Sequence, residues 1–113
     1  MADPPDSEHR IALLYALVEA DPTDATAHFL LGRELLTAGR AADAASAFTG
    51  AIGANPDYAA AYRQLGNALE LAGRRDEAAD AYRAGVTVAG RTNDLQAGKE
   101  MAAFLKRLAR GSA

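Results

Sequence analysis

Residues 28–48 read HFLLGRELLTAGRAADAASAF, and residues 62–82 read YRQLGNALELAGRRDEAADAY. Set 34 residues apart, Leu31, Gly32, Leu35, Ala38, Gly39, Arg40, Ala44, Ala45 and Ala47 return as Leu65, Gly66, Leu69, Ala72, Gly73, Arg74, Ala78, Ala79 and Ala81. Pro22, Ala25 and Ala27 extend the match to Pro56, Ala59 and Ala61, so twelve of 34 positions are identical. Conservative pairs continue it: His28 with Tyr62, Asp43 with Glu77, Phe48 with Tyr82, Ile52 with Val86. A period of this length signals stacked supersecondary units, none of which buries its apolar face alone.

Each unit reads as helix, tight turn, helix. In the first, Thr23 or Asp24 is placed to cap a helix whose apolar residues Phe29, Leu31, Leu35 and Leu36 follow helical spacing up to Gly39. Glycine there takes the left-handed conformation that ends a helix, and Gly73 repeats the device. A second helix is expected over residues 41–54, with Asp43 near its positive end and Pro56 beyond it. Residues 57–72 and 75–89 repeat the pair. Gly32 and Gly66 stand mid-helix, where glycine costs about 1 kcal/mol relative to alanine, so a neighbouring helix is expected to approach closely there, with Ala44 and Ala78 facing them.

This pattern resembles the tetratricopeptide repeat, which runs W-x2-L-G-x2-Y, then A-x3-F, then P in a 34-residue frame. The first unit has His28-x2-Leu31-Gly32-x2-Leu35, Ala44-x3-Phe48 and Pro56. The second has Tyr62-x2-Leu65-Gly66-x2-Leu69 and Ala78-x3-Tyr82, with Gly90 where the proline would fall. The spacing matches throughout; His28 for the aromatic and Gly90 for the proline are the departures. The resemblance implies an all-α, right-handed α-α superhelix of about six helices. One domain is expected over residues 1–113: a half-repeat helix at 7–21, repeat one at 25–58, repeat two at 59–92 and a capping helix at 93–110. In the half repeat, Leu14 and Leu17 fall where Phe48 and Ala51 fall one period later. In the last helix, Asn93 with Gln96 suggests a capped start, and Leu95, Met101, Phe104, Leu105 and Leu108 form an apolar stripe. There the 34-residue frame puts Glu100 at the glycine position, and a two-residue insertion that brings Ala102 to it fits better.

Composition agrees. Among 113 residues alanine occurs 29 times and valine plus isoleucine five times, too few strand formers for a sheet of ordinary size. The absence of cysteine excludes disulfides, thiolate metal sites and thiol chemistry. The longest apolar run, residues 11–18, is too short to span a bilayer, and the acidic start with no cation before Arg10 argues against an export signal; a cytoplasmic location is expected. The net charge of −3 argues against nucleic acid, although residues 91–113 carry +3 and form the basic end of an acidic chain.

No catalytic constellation emerges, and no metal site or cofactor is expected. His9 lies near the terminus and His28 at a packing position, while Asp76, Glu77 and Asp80 read as a solvated helix face. Gly50-x2-Gly53 follows no strand and makes no phosphate loop. The resemblance instead implies a concave groove lined by the first helix of each unit: Thr26, Phe29, Arg33, Leu36 and Thr37, then Ala60, Arg63, Asn67, Glu70 and Leu71. Arg63 and Asn67, four apart, share a helix face and resemble in part the Lys and Asn pair with which some tetratricopeptide domains grip a C-terminal carboxylate; Phe29 and Arg33 hold the corresponding places in the first unit. The expectation is a non-catalytic adaptor that binds a peptide or helix of a partner protein at Phe29, Arg33, Leu36, Arg63, Asn67, Glu70 and Leu71. The alternative is a self-associating module whose groove or C-terminal helix forms a homodimer.

Overall fold

The computed structural model describes residues 3–111, with side chains from Asp6 onward, so the outermost residues of the acidic start and of the basic end lie outside it. Six helices follow one another: α1 (Asp3–Ala20), α2 (Ala25–Thr37), α3 (Ala41–Ala54), α4 (Ala59–Leu71), α5 (Arg75–Thr92) and α6 (Leu95–Gly111). Each packs on the helix before and after it, and α4 also touches α6. The described residues contain no strand.

The turns explain the boundaries. Gly39 and Gly73 take φ of 80° and 78°, and the next residue's N–H reaches back five positions, Arg40 to Leu35 O at 2.9 Å and Arg74 to Leu69 O at 2.8 Å. Of the two cap candidates for α2, Asp24 is the cap: its Oδ1 accepts from the Ala27 N–H at 3.1 Å. Thr23 instead donates to Asp21.

The end of the second unit departs from the 34-residue frame. Helix α5 runs through Gly90 to Thr92, and Asn93, not a glycine, takes the left-handed cap at φ 62°. Asp94 then caps α6, accepting from the Ala97 N–H at 3.2 Å, while Gln96 turns to Glu100. The expected Asn93 and Gln96 capping pair is therefore corrected by one residue, because asparagine tolerates the left-handed conformation that closes α5. Asp94 plays for α6 the part Asp24 plays for α2. This sets the frame of α6 two residues late, so Ala97 stands in the place of Ala61 and Ala102 in that of Gly66.

The mid-helix glycines also receive a specific cause. A Cβ on Gly32 would lie 2.6 Å from the Phe48 ring, and one on Gly66 would run into the Tyr82 ring still more closely. The close approach is made by an aromatic ring of the following helix, with Ala44 and Ala78 fully buried beside it. Phe48, Tyr82, Leu35 and Met101 are the largest side chains sealed from solvent, and no polar or charged side chain is buried among the described residues. In α1, Ile11 is buried, but Leu17, expected to match the buried Ala51, is 55% exposed. At the same position of the second unit, Gly85 is covered by Tyr62 of that unit's own first helix as well as by Met101 of α6, and no first helix precedes α1 among the described residues.

Substituting Gly66→Ala should destabilise the chain by about 1–3 kcal/mol through overpacking against Tyr82. Gly53→Ala, on an exposed helical site with nothing within 4 Å of the added Cβ, should stabilise it by about 0.5–1 kcal/mol. Denaturant midpoints of the two variants, shifted in opposite directions, check both claims.

Candidate functional site

Arg63, Asn67, Glu70 and Leu71 sit at successive turns of one face of α4, where helical periodicity places residues three and four apart side by side. They line a groove of about 430 Å³ together with Gln64, Tyr82 of α5, and Phe104 and Arg107 of α6. The structure thus gathers four of the seven groove residues expected from the sequence.

The other three lie elsewhere. Arg33 lines a separate hollow of about 290 Å³ with Leu14, Leu30, Glu34 and Thr37. Phe29 is half-buried, meeting the Phe48 ring edge-on at 5.6 Å and stacking on Tyr58 at 4.9 Å. Leu36 packs partly buried against the core. Two of the residues expected in the groove are therefore also mortar between α2, α3 and α4. A further hollow of about 410 Å³, with an apolar floor that includes Ile52, Leu65 and Leu69, opens between α3 and α5 over α4.

Within the α4–α6 groove the side chains divide into spent and unspent groups. Glu70 is spent: Arg107 forks onto it with Nη1 and Nη2 each 2.9 Å from a carboxylate oxygen, and the Tyr82 hydroxyl donates to it at 2.6 Å. Arg107 also lies 5.6 Å from the centre of the Phe104 ring, whose own centre is 5.2 Å from that of Tyr82. Arg63 reaches Glu100 of α6 at 3.4 Å. Asn67 and Gln64, by contrast, make no side-chain hydrogen bond among the described residues, and Leu71 is 65% exposed at the groove's edge.

The electrostatics follow from these contacts. Arg107 holds the Glu70 carboxyl below the usual glutamate range, against partial burial and with help from the Tyr82 hydroxyl. Burial first, and donation to Glu70 second, push the Tyr82 hydroxyl well above the ordinary tyrosine range. Among the described residues no group of three or more His, Cys, Asp or Glu side chains is placed to hold a metal ion, and no helix is long and apolar enough to cross a membrane.

Sequence reasoning missed Phe104 and Arg107 as groove residues. The signal was present: in the frame shifted by two residues they stand where Ala68 and Leu71 stand in α4.

The lowered Glu70 carboxyl gives a signed pH dependence. Its contribution to stability is complete above the ordinary glutamate range and is lost as pH falls through the lowered folded value. Glu70→Gln should therefore cost about 1 kcal/mol at neutral pH, and the difference from wild type should close on acidification. Thermal denaturation of both proteins across the acid range measures it, and a difference independent of pH would contradict the role given to Arg107.

The family described as tetratricopeptide repeat matches residues 10–48 and 29–94. A protein from Bordetella parapertussis, solved in solution, is 29% identical over 91% of this chain and 90% of its own, with a TM-score of 0.76. The TPR2B domain of yeast Sti1, solved in complex with pHsp70, is 16% identical, covers 96% of this chain and 87% of its own, and has a TM-score of 0.83. PcrH, solved in complex with the chaperone binding region of PopD, is 13% identical over 98% of this chain and 84% of its own, with a TM-score of 0.87. No curated protein matches the chain at a significant level. With the family pattern spanning most of the sequence, and the helical hairpins that it describes in place, the chain belongs to the tetratricopeptide-repeat family.

Proposed function

We propose that this chain is a non-catalytic protein-interaction module that holds a peptide or helix of a partner protein in the groove between α4 and α6. The observation that carries the reading is the pairing of an exposed apolar side chain, Leu71, with the uncommitted amides of Asn67 and Gln64 over an aromatic floor of Tyr82 and Phe104. An amide offers both a donor and an acceptor to a peptide backbone, and the apolar groups bury surface as the ligand seats. Glu70 and Arg107, locked on one another, fix the walls so that little ordering is required at binding. The two solved complexes with bound partners, on the same fold, support the reading. Phe29 and Leu36 act in it from below, by packing α2 against Tyr58 and the core, while Arg33 lines a separate hollow beside Leu14 of α1.

The probe is a displayed peptide library selected on the intact chain, followed by titration of the enriched peptides. Asn67→Ala with Leu71→Asp removes two groove contacts without breaking any hydrogen bond within the chain. Its binding should weaken at least about tenfold, equivalent to about 1.4 kcal/mol, while its helical circular dichroism stays that of wild type. Equal binding by the variant would move the site away from this groove.

A further inference from the structure

The two ends of the helix stack present faces that are covered at every interior position. In the hairpin of α4 and α5, Gly66 receives the Tyr82 ring, and Gly85 lies under Met101 of α6, which comes nearest, and under Tyr62, whose Cβ is 2.8 Å from the point a Cβ on Gly85 would occupy. Large meets small in both directions. In the same frame α1 is a second helix, with Leu14 in the place of Tyr82 and Leu17 in that of Gly85. Helix α6 is a first helix, with Gly98 in the place of Tyr62 and Ala102 in that of Gly66.

Both faces are open among the described residues. Leu13 and Leu17 are 53% and 55% exposed, although Ala47, Ala51 and Ala81 at the corresponding interior positions are buried. On α6, an apolar hollow of about 300 Å³ is lined by Val86, Ala89, Leu95, Gly98 and Ala102, and Leu95 is 66% exposed. The sizes are complementary across the two ends: Leu17 brings bulk where Gly98 leaves room, and the partly buried Leu14 would stand opposite Ala102. The charges are complementary too. Helix α1 carries four acids against Arg10, a net −3, and α6 carries four cations against Glu100, a net +3. A hairpin is antiparallel, so the last turns of α6, with Lys106 and Arg110, meet the first turns of α1, with Asp6 and Glu8. None of these four has an ion-pair partner within the chain among the described residues.

We propose that a second copy of this chain seats its α1 on the open face of α6, so that the two helices form a hairpin of the kind that α4 and α5 form within one chain. The contact is heterologous: each copy keeps one free end, and association continues head to tail. It uses neither Asn67 nor Leu71 and so stands apart from the peptide groove.

Sedimentation velocity of the full chain from micromolar to millimolar concentration tests it. Wild type should form species larger than a dimer as concentration rises, and added salt should shift them toward monomer. Leu17→Asp closes only the α1 end and Ala102→Asp only the α6 end. Each variant alone should stay monomeric, while an equimolar mixture should give one-to-one dimers and nothing larger. Leu95→Asp, at a more exposed site, replaces Ala102→Asp if circular dichroism shows that the latter misfolds. The groove variant Asn67→Ala with Leu71→Asp should associate like wild type. A wild type that remains monomeric, a series that stops at dimer, a variant mixture that stays monomeric, or loss of association in the groove variant would each overturn the proposal.

Discussion

One contact recurs as the hinge of the architecture: an aromatic ring of a second helix laid on a glycine of the first, Phe48 on Gly32 and Tyr82 on Gly66. Because the ring occupies the volume a Cβ would need, the two helices lock in one register, and the fully buried Ala44 and Ala78 keep the crossing tight. Burying a ring of this size contributes about 1.5–3 kcal/mol, more than the roughly 1 kcal/mol each mid-helix glycine costs. The sequence tolerates a poor helix former twice, at the same position, because the packing gain exceeds the propensity loss.

The second of these contacts also reaches the site. Tyr82 fills the hairpin with its ring and presents its hydroxyl to Glu70, which in turn accepts the fork of Arg107 from α6. A single side chain thus ties the α4–α5 crossing to the position of α6, and the groove inherits its shape from the core. Glu70 was expected from the sequence to face a partner; in the structure its acceptor capacity goes to two residues of its own chain. The pair is 37 residues apart, so no local spacing could show it. What remains free on that face, Asn67, Gln64 and Leu71, is what the structure leaves without an internal partner.

The same distinction governs how much of the fold was readable in advance. Helix ends set by local chemistry were readable: Gly39 and Gly73 take the left-handed conformation their identity allows, and Asp24 caps α2. The junction of α5 and α6 was harder because no proline ends α5. Gly90 is accommodated within the helix, which runs on until Asn93 can turn, and the longer helix outweighs the shorter loop by two residues. That shift accounts for both the misplaced cap at Asn93 and the unnoticed groove residues Phe104 and Arg107. The Ala102 register, read from the small-residue position alone, was correct because packing size is periodic even where the frame slips. The same periodicity set Leu17 one period before the buried Ala51, yet periodicity only names the face; coverage depends on a neighbouring helix.

Charge follows a related logic. On α6, Glu100 and Arg107 turn inward to Arg63 and Glu70, while Lys99, Lys106 and Arg110 make no ion pair among the described residues. Exposed ion pairs contribute only about 0–1 kcal/mol each, so a basic helix on an acidic chain is poorly explained as a source of stability. Its effect is on orientation. Two copies meeting α1 to α1 would bring −3 against −3, and two meeting α6 to α6 would bring +3 against +3. Both symmetric contacts are opposed by like charge, and each also sets large residues against large or small against small. The α1-on-α6 contact alone satisfies size and charge together, so the polarity of the chain's ends selects head-to-tail order over a closed symmetric pair.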